Sequence, residues 1–351
     1  MYNNILMFLK VLTLYIGTVI GAGFASGQEV LQFFINYGTK GIWGVVVVTV
    51  CFSYLGMIIM YMATKFKSGS YQEILPFLMG PTSRIMDVLS LIMLVGGLGI
   101  MLAGSGAVIN QYLGLPNYAG ILAAAAVTII VILGGVERVL AANLILVPIK
   151  LLVVCVIAIM AIANQTALIP APVVPVTKPL VASHWLWASI LYVSYNMVVP
   201  LAALSSVGRI VTPKIGILAG LTGGAVLGLT TGLITMAGLS YYPEITNYPV
   251  PMLYLAETIA PVLKTVFALL IWVAILTTAI ADAHGFASRI APGGGKLYKL
   301  VGTGICVAVL PLTKLDFAQL VQKLYPMFGY AGLILLAALL VIPVLRFSLK
   351  K

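Results

Sequence analysis

Tyr15 to Val30 reads YIGTVIGAGFASGQEV, inside an apolar run from about Ile5 to Tyr37 that is long enough to cross a bilayer. Gly17, Gly21, Gly23 and Gly27 weaken the helix where a spanning segment most needs it. Each glycine costs up to about 1 kcal/mol relative to alanine in a helix interior. Unwound backbone at membrane depth survives only where it faces protein or water. A break here is therefore a candidate binding site, because its freed N–H and C=O groups can hold a solute or an ion. The competing reading is a face of small residues for close helix packing.

With 62% hydrophobic and 8% charged residues, the 351-residue chain is expected to be an all-α polytopic membrane protein without a soluble domain, since so few charges cannot cover a soluble surface. One Lys precedes the glycines and no small-residue cleavage site follows, so the first helix is expected to be retained. Cys51, Cys155 and Cys306 lie singly in apolar runs and are expected to be packing residues, not metal ligands or disulfides. The net charge of +11 comes from basic residues spread singly between apolar segments, a pattern of topology and not of a nucleic-acid surface.

Ten spans are expected, at about 5–37, 41–65, 84–113, 117–135, 139–164, 183–211, 215–241, 261–290, 297–312 and 325–347. With the N-terminus inside, thirteen of the nineteen Lys and Arg residues fall in inside loops and tails. Five (Lys40, Lys178, Lys264, Lys314, Lys323) fall outside, and Lys150 lies within a span. That asymmetry predicts that both termini are cytoplasmic.

Asn164 to Ser183, with Pro170, Pro172, Pro175 and Pro179, reads as a linker. It divides the chain into a first five-span half, 1–164, an outside Pro-rich linker, 165–182, and a second half, 183–351. Five is odd, so the second half starts on the opposite face and any repeat is inverted. The sixth span, SILYVSYNMVVPLAALSSVGRI (Ser189–Ile210), carries Ser194, Tyr195, Asn196 and Pro200 at its centre. Pro200 removes a backbone donor and clashes with the preceding turn. Interruptions at matching places in both halves point to a central site.

These features resemble the leucine-transporter fold of the amino acid-polyamine-organocation superfamily: ten helices as two inverted fives, with helices one and six broken. The closest likeness is to a bacterial branch labelled YkvI-like, and it covers essentially the whole chain. The motifs that carry it are GTVIGAGF (Gly17–Phe24) and AILTTAIADAHGFASRI (Ala274–Ile290). The resemblance implies a bacterial plasma-membrane transporter of amino acids or related solutes. It also implies a sodium site at the carbonyls of Gly17, Ile20 and Ala274 and the hydroxyls of Thr277 and Thr278. Oxygen ligands suit a hard cation, although a Thr-Thr pair alone is weak, since hydroxyls commonly bond back to their own helix. The family's other sodium site uses an Asn where Phe24 stands here, and it is not assigned.

Lys150, in GVERVLAANLILVPIKLLVVCVIAI (Gly135–Ile159), resembles the lysine of sodium-independent relatives, whose ammonium occupies the space of the sodium ion. It stands about eleven residues into its span, roughly 16 Å from the inner end, too deep for easy snorkelling. A lone charge at that depth is functional by default, and lost hydration makes proton exchange a physical option. Asp282, one helical turn after Thr278, is read as an exit-path or counter-charge group, or alternatively as a partner of Arg289 or His284. Glu29 and His284 are read as vestibule or structural residues, and Asn110, Gln111 and Asn143 as helix glue.

The sequence thus predicts an ion-coupled symporter working by alternating access. Proton coupling through Lys150 is favoured over sodium coupling through helices one and eight, and a channel or sensor on the same fold is the further alternative. Gly21, Ala22, Gly23, Phe24, Tyr192, Tyr195 and Asn196 are the expected substrate residues, with Lys150 and Asp282 in coupling. The expected partners are a small-molecule substrate, a coupling ion and lipid, with no nucleic acid and no cofactor other than sodium, if it binds. An enzyme is disfavoured, for the chain carries no His-Glu-x-x-His, Gly-x-Ser-x-Gly or P-loop pattern.

Overall fold

The computed structural model describes residues 2–80, 83–134, 137–165 and 181–348. Side chains are also undescribed at 2–3, 135–144, 344 and 346–348, which takes in Asn143 and Arg138. Nearly all of the linker expected at 165–182, with its prolines, lies outside the described residues.

The described chain is helical throughout. The helices are α1 (Tyr2–Val19), α2 (Ala22–Ser26), α3 (Gln28–Phe33), α4 (Thr39–Lys65), α5 (Tyr71–Met79), α6 (Ser83–Leu113), α7 (Asn117–Gly134) and α8 (Glu137–Ala163). They continue as α9 (Trp185–Asn196), α10 (Val198–Ser206), α11 (Pro213–Ser240), α12 (Pro251–Ile259), α13 (Pro261–Ile290), α14 (Gly295–Ala308) and α15 (Phe317–Ser348). Among the described residues nine helical segments are long and apolar enough to cross a membrane, with α9 and α10 counted as one, and Asn4–Val19 is a shorter apolar helix before them. Large apolar side chains such as Trp43, Ile130 and Leu229 are exposed on the outer faces. In water they would be a liability, and in lipid they are the solvent-facing surface. The molecule is an all-α polytopic membrane protein.

α15 begins eight residues before the expected start of its span, because Asp316 caps it by accepting from the Gln319 N–H (2.8 Å). Lys323, expected in a loop, is therefore helical. Pro326 is tolerated inside this helix, as prolines in spanning helices are where neighbours satisfy the freed backbone.

Small residues set the tightest helix contacts. On α11, Gly216, Gly220, Gly224 and Gly228 recur every fourth residue on one face, which lies directly on α4 against Met60, Gly56, Ser53 and Thr49. A Cβ on Gly220 or Gly224 would run into α4 backbone. Backbone contact of this kind is what small residues contribute to helix association in lipid.

The loops sort into two ends. At one end Arg209 donates to the Lys67 carbonyl (3.0 Å) and pairs with Glu73 (2.8 Å), Tyr71 donates to Asp87 (2.9 Å), and Arg289 pairs with Asp87. The opposite end joins Tyr37 to Ala182 (2.7 Å) and Gln111 to Val250 (3.1 Å).

Candidate functional site

The first interruption divides the four glycines into two kinds. α1 stops at Val19 because the Gly21 N–H turns to the Val19 carbonyl (2.8 Å), leaving the Gly17 carbonyl without its helical donor. Gly21 is extended, and Gly27 takes φ 82°, a left-handed conformation that favours glycine, with Pro251 and Met252 where a Cβ would go. Gly17 and Gly23 are helical and serve close approach instead. A Cβ on Gly17 would meet Val147 of α8 at 2.9 Å, and one on Gly23 would strike Glu29 and Tyr325.

The second interruption is narrower. α9 and α10 are separated by Met197 alone, whose backbone stays near helical values. Pro200 has no N–H to give the Asn196 carbonyl, and the Asn196 amide instead caps Tyr192 O (3.0 Å). Helix α13 runs through without a break.

Between these elements lies a cavity of about 320 Å³. Its walls are Thr18, Val19 and Gly21 beside the first break, Glu29 of α3, Met86 to Met101 of α6, Tyr195 and Asn196 of α9, and one face of α10. Thr278 and Asp282 of α13 and Tyr325, Phe328 and Leu335 of α15 complete it. Tyr71 and Leu75 of α5 line its far part, so it extends toward the end that carries Lys65, Lys67, Arg209 and Arg289.

Glu29 is buried in this wall, only 4% exposed, and accepts a hydrogen bond from Tyr195 Oη (2.7 Å). The Tyr325 hydroxyl lies beside the same carboxylate, the two meeting over the bare Cα of Gly23. The rings of Tyr195 and Tyr325 stack 5.0 Å apart at 19°. Asp282 rests on Gly97, where a Cβ would come within 2.8 Å of its Oδ2. Among the described residues Asp282 has no ion pair: Arg289 pairs with Asp87, and the His284 ring bonds the Tyr298 hydroxyl (2.7 Å).

Lys150 is 1% exposed and does not line the cavity. Its Nζ donates to the Ile20 carbonyl at 3.3 Å, a carbonyl freed by the first break. Thr277 and Thr278 both direct their hydroxyl hydrogens to the Ala274 carbonyl (3.0 and 2.9 Å). Of the five oxygens expected for sodium, the Ile20 carbonyl thus already accepts from an ammonium.

Of the residues expected at the site, Gly21, Tyr195, Asn196, Thr278 and Asp282 meet in the cavity wall. Ala22, Gly23 and Phe24 are fully buried outside it, as is Tyr192, which packs on Phe33, Phe34 and Phe52. Glu29 is more central than its sequence position suggested. The signal was present, a carboxylate within an apolar run. Tyr325 and Gly97 carried no such signal, for their part depends on which helices face each other.

A second cavity, of about 400 Å³, lies at the opposite end. Eight carboxamides line it: Gln28, Gln32, Asn36, Asn110, Asn117, Asn247, Gln319 and Gln322. Among the described residues Gln28 Oε1 and Asn36 Oδ1 are buried without a hydrogen-bond partner. Asn110 and Gln111 do hold backbone, at Leu115 and Val250.

No protein-family model matches the chain. Two Bacillus subtilis (strain 168) proteins are similar along nearly their whole length. The uncharacterized membrane protein YkvI is 28% identical over 336 residues, covering 93% of each chain, and the uncharacterized protein YyaD is 29% identical over 345 residues, covering 96% of this chain and 97% of its own. Among solved structures, a manganese transporter of Eremococcus coleocola, in complex with an aromatic bis-isothiourea substituted compound, superposes with TM-score 0.55 at 14% identity. It covers 92% of this chain and 75% of that one. The inward facing conformation of Mhp1 superposes with TM-score 0.52 at 10% identity, covering 97% and 90%.

Proposed function

From a chain that shares the leucine-transporter fold of these transporters, we propose a secondary active transporter that moves an amino acid or related small organic solute by alternating access. The observation that carries the coupling is Lys150 Nζ on the Ile20 carbonyl. An ammonium and a sodium ion about 4 Å apart repel by roughly 4 kcal/mol at an effective dielectric constant near 20, which is nearly a thousandfold in affinity. The cation is thus built into the protein, and transport is proton-linked and indifferent to sodium. Sodium coupling through Gly17, Ile20, Ala274, Thr277 and Thr278 is the second reading, favoured only by the spare carbonyl at Gly17 and the lone pairs of the two hydroxyls. Manganese is not the proposed cargo: among the described residues no three His, Cys, Asp or Glu side chains gather to hold a metal ion. The chemistry is translocation, not catalysis. The test is uptake of a labelled amino acid mixture into proteoliposomes. Accumulation that collapses when the pH gradient is dissipated supports the reading, and equilibration without accumulation under any gradient points to a channel or sensor.

The proposed arrangement has ten spans, α1 to α3 forming the first and α9 with α10 the sixth. They form two inverted halves, 1–164 and 183–351, joined outside by 165–182, with both termini on the cytoplasmic side of a bacterial plasma membrane. The gathering of Lys65, Lys67, Arg209 and Arg289 at one end supports the sidedness. The cavity at Glu29 then faces inward. Single cysteines at Ser70 and Thr177 in a cysteine-free background are expected to react with an impermeant reagent from opposite sides. Labelling of both from one side would overturn the topology.

A further inference from the structure

The glycines of α11 that face α4 do not stop at Gly228. Gly232 is the next of the series, yet the place for its Cβ holds only Val45 Cγ1, at 3.4 Å, whereas a Cβ on Gly224 would strike α4 backbone and one on Gly228 the Thr49 side chain. The two helices therefore part beyond Gly228. Between them lies a cavity of about 450 Å³, with Val45, Val46 and Val50 of α4 on one wall and Gly228, Gly232 and Met236 of α11 on the other. Its two hydroxyls direct their hydrogens to their own helices, Thr49 to the Val45 carbonyl (2.8 Å) and Thr235 to the Thr231 carbonyl (2.7 Å). The wall thus offers a polar molecule nothing, and an apolar cavity of this kind stays free of water.

Its depth decides what can fill it. The α4 wall, 42–50, lies roughly 5 to 16 Å along the helix from its Thr39 end, and α4, at 27 residues, is longer than the hydrocarbon core it crosses. Trp43, beside this wall, is exposed where indole rings mark the membrane interface. Val46, Val50 and Leu229 on the lips of the gap are exposed as well, so it opens sideways onto lipid. A helix of a second copy, about 10–12 Å across with its side chains, is too wide for a slit between two helices whose backbones touch one turn away, at Gly224. A flexible acyl chain is not. Left empty, the slit would deprive its walls of dispersion partners.

We infer that the gap between α4 and α11 is a binding site for one acyl chain of a membrane phospholipid, held lengthwise against 228–236 and set apart from the chains that coat the outer faces. It shares no lining residue with either polar cavity, so its occupation is independent of the solute the protein moves. Gly232 is the place to fill it from the protein side, since a larger side chain there meets only Val45.

For the test, the full-length chain is reconstituted in vesicles of palmitoyl-oleoyl phosphatidylglycerol that carry a trace of the same lipid with a diazirine midway along one acyl chain. After illumination the crosslinked peptides are mapped, and the lipid retained through detergent washing is counted by native mass spectrometry. The expected result is labelling concentrated on 42–50 and 228–236, with a single phospholipid held by each chain after the rest are stripped. Gly232→Phe, which fills the gap, is expected to lose both signals. Gly304→Phe adds the same bulk at an exposed site on α14 with no atom near its Cβ position, and it is expected to keep both. Should Gly232→Phe fail to fold, Val46→Phe fills the gap from the α4 side. Labelling spread evenly over the lipid-facing helices, no retained phospholipid in the parent, or a retained phospholipid that survives the filling variants overturns the inference. A second copy seated in the gap, seen as disulfide crosslinking of Val46→Cys between two chains in a cysteine-free background, would overturn it as well.

Discussion

Gln28 and Glu29 are neighbours in α3, yet they look into different cavities. Gln28 lines the one walled by carboxamides, and Glu29 the one walled by carboxylates and tyrosines. The turn of α3 is the partition between them. On one side most polar groups are neutral carboxamides, two of them with an oxygen unsatisfied among the described residues, and Asp316 stands beside them. The other side has two acids, one satisfied by tyrosine and one open. Neutral amides hold any polar solute weakly, through hydrogen bonds whose net worth is about 1 kcal/mol each. A buried carboxylate discriminates by charge, since its partner must replace lost hydration.

That contrast is sharpest at Gly23. Gly23→Leu is expected to abolish uptake while the protein still inserts, because the side chain would enter the space held by Glu29 and Tyr325. Gly21 has no atom near its own Cβ position, so Gly21→Ala is expected to be tolerated while Gly21→Leu fills the cavity. Normal uptake by either leucine variant would remove the first break from the site.

Glu29→Gln keeps the shape and removes the charge. It is expected to lower uptake by about thirtyfold, the equivalent of roughly 2 kcal/mol for a lost charge-assisted bond. Gln28→Ala, one residue away, should change uptake by less than about threefold, since the Gln28 side-chain oxygen makes no hydrogen bond among the described residues. Equal losses in the two variants would mean that α3 does not partition two chemistries. Tyr325→Phe should fall between them, with a loss of about fivefold from one neutral hydroxyl beside Glu29.

Much of this was legible in the chain, for reasons that differ by residue. The first break was readable because glycine is the costliest ordinary residue in a helix, and Lys150 and Asp282 stood out as ionisable groups in apolar runs, whereas Glu29 was read only as a vestibule or structural residue. The glycines of α11 follow the same four-residue rule as any close-packing face, but their partner on α4 becomes visible only in the fold. Phe24 and Tyr192 were expected to line the pocket from their nearness to the breaks. A helix turns about 100° per residue, so proximity in sequence does not set facing, and both point into packed aromatic and apolar surroundings. Tyr325 is an ordinary aromatic in an apolar helix until α15 is placed beside α3.

Lys150 lines neither cavity and donates to the carbonyl that the first break sets free. The most direct measurement is uptake into proteoliposomes under a sodium gradient and, separately, a pH gradient, for the parent chain and for Lys150→Ala. If the ammonium is the resident cation, uptake follows the pH gradient, ignores sodium, and is lost in Lys150→Ala. Sodium-driven uptake in the parent that survives Lys150→Ala would contradict it.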